Sequence, residues 1–138
     1  MTDRVRGTEG AAHDAGVSRL IATGATAALL AVAAGAFGRH ALERRLDQHA
    51  LEIFDTAARY QMYHALAILL VAALAPRLGG RAPIVGRWFL AGILIFSGSL
   101  YALALSGLRM LGAITPIGGL CFWAGWISLA IYARRAGR

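Results

Sequence analysis

The chain has one cysteine, and no aspartate or glutamate follows Asp55. A single cysteine, Cys121, cannot form an intramolecular disulfide, and we expect it to be a packing residue. A serine nucleophile needs a base that a third group orients, commonly a carboxylate. Because all seven acidic residues lie before Thr56, we predict that the protein is not an enzyme. The same absence weakens a transporter that moves cations through carboxylate relays.

Metal, cofactor and nucleic-acid sites also have little support. His40 and His64 could form a metal pair, but a zinc site needs three or four protein ligands, and the other histidines, His13 and His49, lie in polar segments. The chain has no glycine-rich phosphate loop and no haem-attachment motif, so we expect no metal and no cofactor. The 14 basic residues are all arginines spread over several short segments. They do not form the clustered patch that nucleic-acid binding requires.

Long apolar runs dominate the chain, which has 138 residues and is 58% hydrophobic. Each run approaches the ~20 residues that span a bilayer as a helix, and the runs lie at about 19–38, 56–75, 87–105 and 116–132. The sequence therefore predicts an all-α polytopic membrane protein with four transmembrane helices in one domain, residues 19–133. We expect a disordered polar cytoplasmic tail at residues 1–18 and a basic cytoplasmic tail at 134–138.

The segment between the first two runs, residues 39–55, has the pattern of an amphipathic helix. Asp47 is a predicted N-cap. Apolar residues then recur at helical spacing, at Leu46, Ala50, Ile53, Phe54 and Ala57. We expect this helix to lie at the membrane interface and to continue into the second span.

The second apolar run begins with polar groups where lipid would be expected, in the stretch Arg59-Tyr60-Gln61-Met62-Tyr63-His64. The purely apolar run behind this stretch, 65–75, covers only ~16 Å of a ~30 Å hydrocarbon core. The span must therefore begin near residue 56, which brings His64 close to the midplane. Arg59 lies nearer the interface and is spaced to pair with Asp55 one turn earlier.

The candidate site of this sequence is an intramembrane polar cluster. Its expected members are His40, Arg59, Tyr60, Gln61, His64, Ser97, Ser99, Tyr101 and Thr115. In one interpretation, His64 donates or accepts an interhelical hydrogen bond with Ser97, Ser99 or Tyr101 and holds the bundle together. In the other interpretation, His64 is a proton or ligand site, because an ionisable group inside a membrane is by default a candidate functional residue. Tyr60, Tyr63, Trp123 and Trp126 are predicted to be interface-belt or helix-packing residues.

The distribution of arginines predicts the orientation. The N-terminal segment, the second loop and the C-terminus carry nine arginines, and the opposite side carries five. The positive-inside rule therefore places both termini in the cytoplasm. A secretory signal peptide is the alternative for the first run, since Ala34-Gly35-Ala36 fits a cleavage site. The long polar segment before it and the three further spans disfavour that alternative.

Four short motifs occur in order along the chain: Gly35-Ala36-Phe37-Gly38-Arg39-His40-Ala41-Leu42, Arg59-Tyr60-Gln61-Met62-Tyr63-His64-Ala65-Leu66, Phe96-Ser97-Gly98-Ser99-Leu100-Tyr101 and Thr115-Pro116-Ile117-Gly118-Gly119. Together they resemble the signatures of the domain of unknown function 423 family of small bacterial inner-membrane proteins. Arg39 departs from the pattern, because the family usually has a small residue there. The resemblance covers about residues 17–132 and implies a four-span inner-membrane protein. It implies no activity.

Two functions are compatible with these features. The first is a structural or interaction module of the inner membrane, whose partners are the lipid bilayer and another membrane protein or a second copy of the chain. The alternative is a small transporter or channel-like protein in which the His64-centred cluster lines a pathway. The two differ in hydration, because a packed cluster is dry and a pathway is wet.

Overall fold

The computed structural model describes residues 2–136, excepting the side chains of 2–9, 11–13, 39 and 136. This part of the chain contains helices and turns but no strand, which confirms the all-α prediction. The α-helices are α1 (Thr2–Phe37), α2 (Gln48–Ala73), α3 (Ala75–Leu78), α4 (Ala82–Gly92), α5 (Gly98–Ser106) and α6 (Thr115–Ala136). A first π-turn (Gly38–Leu42) follows α1, and a second π-turn (Ile93–Ser97) joins α4 to α5. Two 3-10 turns occupy Gly79–Arg81 and Arg109–Ala113.

Three helical stretches of the described residues are long and apolar enough to cross a membrane. They are Asp14–Leu42, Ala75–Ser106 and Arg109–Arg135, and they contain the first, third and fourth predicted spans. The second predicted span lies in α2, which does not meet the same measure of hydropathy. The reason is the polar stretch near the start of the second predicted span, where Arg59, Gln61 and His64 lie within six residues.

The start of α2 has the predicted cap. The side-chain Oδ1 of Asp47 accepts a hydrogen bond of 2.8 Å from the backbone N–H of Ala50, which satisfies one of the free donors of the first helical turn. From Gln48 onward the helix runs without interruption to Ala73. Residues 48–55 of the predicted segment are therefore the beginning of α2 and continue without a break into the rest of that helix, whereas residues 39–42 belong to the first π-turn.

The N-terminal segment differs from its prediction. α1 already includes residues 2–18, where the sequence predicts a disordered tail. This segment contains no proline. Extension of a helix that is already nucleated adds a hydrogen bond per residue without a new nucleation cost, so the polar residues continue the apolar helix behind them.

The centre of the fold is α2. It packs against α1, α4, the second π-turn and α5, whereas α6 packs mainly against α4 and the second π-turn. The contact surface of α2 is rich in fully buried small residues such as Ala57 and Ala65, which let neighbouring helix backbones approach closely. Larger buried residues, Ile68 and Val71 of α2 with Phe89 of α4, fill the core between them. This arrangement places the polar residues of α2 at the junction of all four long helical segments.

Candidate functional site

His64 lies on the buried face of α2, and the structure gives both of its ring nitrogens a partner. The side chain is 6% exposed. Its Nδ1 lies 2.7 Å from the backbone carbonyl oxygen of Tyr60, and since a carbonyl can only accept, Nδ1 carries a hydrogen and donates it. The indole Nε1–H of Trp126 points to the other nitrogen, Nε2, at 3.4 Å. An indole can only donate, so this arrangement suits a neutral imidazole that carries its hydrogen on Nδ1 and accepts at Nε2.

An aromatic shell encloses the imidazole. Its ring stacks on Phe122 of α6 with a centroid separation of 3.4 Å and an interplanar angle of 6°. Phe89 lies 5.8 Å away and Tyr60 6.1 Å away, again between ring centroids. Trp126 in turn packs edge-on against Phe89 at 4.9 Å. These four rings occupy space that water would need to reach His64.

Gln61 connects three helices through one amide group. Its Nε2 donates to the backbone carbonyl of Ala27 in α1 at 2.9 Å. Its Oε1 accepts from the Tyr101 hydroxyl of α5 at 3.0 Å. The Tyr101 ring also packs on Phe54, with centroids 4.8 Å apart. We call the four side chains that make these interhelical bonds the polar clasp: Gln61, His64, Tyr101 and Trp126.

A second polar pair lies between α5 and the start of α6. The hydroxyls of Ser99 and Thr115 are 2.8 Å apart, and either can be the donor. Ser99 Oγ is also 3.0 Å from the carbonyl of Phe96, and Thr115 Oγ1 is 3.4 Å from the carbonyl of Leu111. Thr115 is the first residue of α6, and its hydroxyl is engaged with α5.

The predicted partners of His64 were wrong. The imidazole bonds to Trp126 of α6 and to its own helix, and its expected partners on the third span are engaged elsewhere. Tyr101 bonds to Gln61, and Ser99 bonds to Thr115. Ser97 is 1% exposed, and its hydroxyl has no hydrogen-bond partner among the residues that the structure describes.

Arg59 and His40 lie outside the buried cluster. The Nε of Arg59 is 3.1 Å from Oδ2 of Asp55, which confirms the predicted ion pair. Both side chains are more than half exposed, so the pair contributes less than about 1 kcal/mol to stability. His40 is also exposed and lies in the first π-turn. With Glu52, these residues line a separate open cavity of about 520 Å³. Across the described residues, no group of three His, Cys, Asp or Glu is placed to hold a metal ion.

Sequence reasoning missed Phe122 and the bonding role of Trp126. Trp126 packs edge-on against Phe89, which fits the helix-packing half of its prediction, and its N–H also bonds to His64. The signal was present in the spacing of Gly118, Phe122 and Gly125, which share one face of α6. That face packs on the α4–α5 segment, and this packing places Phe122 against the imidazole ring of His64.

The two buried serines are expected to respond differently to alanine. Ser97→Ala removes a hydroxyl without a described partner and should leave the free energy of unfolding unchanged or raise it by up to ~1 kcal/mol. Ser99→Ala removes the bond to Thr115 and should lower it by roughly 1 kcal/mol. Denaturant titration in detergent micelles measures both. An equal loss in the two variants would contradict the assignment of Ser97 as unpartnered.

Comparison with known proteins identifies relatives along most of the chain. The family described as "Protein of unknown function (DUF423)" matches residues 34–119. The UPF0382 membrane protein YwdK of Bacillus subtilis (strain 168) is 45% identical over 115 residues, which cover 82% of this chain and 94% of that protein. The UPF0382 membrane protein SAB0533 of Staphylococcus aureus (strain bovine RF122 / ET3-1) is 44% identical over 111 residues, covering 80% and 91%. No solved structure matches the chain significantly.

Proposed function

The chain belongs to the DUF423 family, whose matched relatives are membrane proteins, and on that premise we propose that it is a four-span structural or interaction module of the bacterial inner membrane. Its polar clasp joins the spans and carries no pathway and no catalytic step. In this proposal its partners are the lipid bilayer and another membrane protein or a second copy of the chain. It binds no nucleic acid and needs no cofactor.

The length and the internal bonding of α2 support it as a span in addition to the three apolar stretches. With 26 residues it is ~39 Å long, which exceeds a ~30 Å hydrocarbon core. Its polar side chains are expensive in lipid unless they are satisfied within the protein. Gln61 and His64 are both buried and hydrogen-bonded, and Arg59, two residues before Gln61, has its ion pair with Asp55. The first turns of α2, with Glu52 exposed, suit the interface.

Arginine placement supports both termini in the cytoplasm. Arg81 of the connection between α2 and α4 lies over the ring of Tyr132 near the end of α6, 5.3 Å from its centroid. Asp14 and Val17 of α1 line a cavity with Ala73 at the end of α2 and Pro76 of α3. The basic segments around these positions therefore meet at one end of the fold, and the positive-inside rule assigns that end to the cytoplasm. They include Arg19, Arg77, Arg81, Arg87, Arg134 and Arg135.

One observation carries the choice of a dry module over a pathway. Both nitrogens of His64 are partnered inside the protein, and an aromatic ring lies in stacking contact with its face. A proton or ion relay needs a group that can exchange hydrogen bonds with water or with the transported species. The clasp offers no such group at His64, whereas interhelical bonds of this kind contribute roughly 0.6 kcal/mol each on average to bundle stability.

Thiol labelling tests this proposal. In a Cys121→Ala background, Ser97→Cys places a near-isosteric thiol in the core, His64→Cys reports the clasp, and His40→Cys is the exposed control. A membrane-impermeant maleimide is added to each side of oriented vesicles in turn. We expect full labelling at position 40 from one side, and no labelling at positions 64 and 97 from either side.

The alternative of a small transporter or channel makes the opposite prediction. Labelling at position 97, where the replacement removes almost no volume, would show that water reaches the core and would favour a pathway. Labelling at position 64 alone would show that truncating the imidazole opens the site. Size-exclusion chromatography of each variant must first show a folded, monodisperse protein.

A further inference from the structure

A lateral cleft lies between α1 and the α4–α5 segment, on the side of α2 that carries Gln61. Its volume is about 550 Å³, which is within the range of small-molecule sites. α1 contacts α2 extensively and α4 only slightly, and the gap between them forms the cleft. Its polar lining consists of Thr23, Thr26, Gln61 and Tyr101, and its apolar lining includes Leu94 and Gly98.

The cleft is neutral and mainly apolar, with hydrogen-bond donors at a few positions. Among the side chains that the structure describes, no carboxylate, arginine or histidine lines it, so an ionised ligand would lack a counter-charge in a medium of low dielectric. The hydroxyls of Thr23 and Thr26 have no hydrogen-bond partner within the described part of the chain. The amide of Gln61 donates one hydrogen to Ala27 and keeps a second, while its oxygen already accepts from Tyr101. A ligand that supplies an acceptor would complement this lining.

The depth of the cleft restricts the source of that acceptor. Gln61 is near the midpoint of α2, and its bond to Ala27 places Thr23 and Thr26 within about one turn of the same level. If α2 spans from near residue 56 as proposed above, Gln61 lies about five residues, or ~8 Å, inside the hydrocarbon core. Phospholipid headgroups and ester carbonyls lie outside that depth, at the interface. The matching acceptor must belong to a molecule that dissolves in the hydrocarbon core.

We propose that this cleft binds a neutral, lipid-soluble carbonyl compound of the quinone type. A ring carbonyl accepts hydrogen bonds from Thr23 and Thr26, and the flat ring lies against Leu94 and over Gly98. A Cβ at Gly98 would meet no atom within 4 Å, so the backbone leaves room for a ring at that position. The proposal concerns binding alone and rests on the four-span arrangement.

The test uses the full chain in phosphatidylcholine nanodiscs with decylubiquinone as the probe. Because a ligand that binds only the folded state raises the melting temperature by mass action, we expect a saturable increase of a few degrees. In a Thr23→Val, Thr26→Val double variant, which keeps the side-chain shapes, the apparent affinity should fall at least about tenfold. Thr56→Val is the matched control, because Thr56 bonds to the carbonyl of Glu52 away from the cleft. It should retain the full response.

A second variant closes the cleft. Gly98→Leu adds a side chain into open space and improves helix propensity, so it should fold and lose the response to the probe. An unchanged response in Gly98→Leu or in the double threonine variant would overturn the proposal. So would no response in the unaltered protein, or an equal response to dioleoylglycerol, which would indicate a groove for acyl chains. Thiol labelling at positions 64 and 97 tests the proposed function separately, since neither residue lines this cleft.

Discussion

Gly118→Val is expected to separate α6 from the second π-turn and to give the largest loss of stability of any single substitution described here. A Cβ at position 118 would clash with the backbone nitrogen of Phe96 and would lie 2.7 Å from its Cα. Backbone atoms inside a helix cannot move aside as a side-chain tip can. Overpacking a close contact typically costs 1–3 kcal/mol and occasionally more, and we expect ~3 kcal/mol here.

The neighbouring residue provides the control for this substitution. A Cβ at Gly119 would meet nothing within 4 Å, so Gly119→Ala should change the free energy of unfolding by less than ~1 kcal/mol, in the stabilising direction if helix propensity decides. Denaturant titration in micelles and the yield of monodisperse protein measure both variants. Equal behaviour of the two glycine variants would mean that α6 does not pack on Phe96 as described.

A change in this packing should also displace the polar clasp. Phe122 and Trp126 reach His64 only because Gly118 and Gly125 bring α6 close to the α4–α5 segment, where a Cβ at Gly125 would lie 2.6 Å from the Phe89 ring. The sequence places Gly118 and Gly125 seven residues apart, which gives a stripe of small residues on one helical face, and it places the polar His64 in an apolar run. It did not show that the stripe and the histidine meet, because that requires the relative rotation of two helices.

Local features were the most predictable part of this fold. The Asp47 cap, the Asp55–Arg59 pair and the helical class all follow from residues within one or two turns of each other. Partner choice in the core was not predictable, because Gln61 and His64 are only three residues apart and yet bond to different helices. A buried helical face about 100° wide contacts several neighbouring helices, and the periodicity of the sequence does not say which neighbour a given residue meets. The two π-turns also gave no signal, because neither contains a proline.

The clasp allows a quantitative test through Gln61 and Tyr101. Gln61→Leu keeps the approximate volume but removes the bond to Ala27 and leaves the Tyr101 hydroxyl without its partner. An interhelical bond in a membrane is worth up to ~1.7 kcal/mol, and a stranded hydroxyl costs about 1–3 kcal/mol. We therefore expect Gln61→Leu to lower the free energy of unfolding by ~2 kcal/mol and Tyr101→Phe to lower it by ~1 kcal/mol.

The double variant separates a direct bond from general disruption. When Tyr101→Phe is added to Gln61→Leu, the stranded hydroxyl is removed, so the double variant should lose ~1 kcal/mol less than the sum of the two single losses. Tyr63→Phe is the matched control, because Tyr63 is 56% exposed and its replacement should add to Gln61→Leu without coupling. Strict additivity with Tyr101→Phe would mean that α2 and α5 are held together by packing alone, and that the amide contributes only through α1.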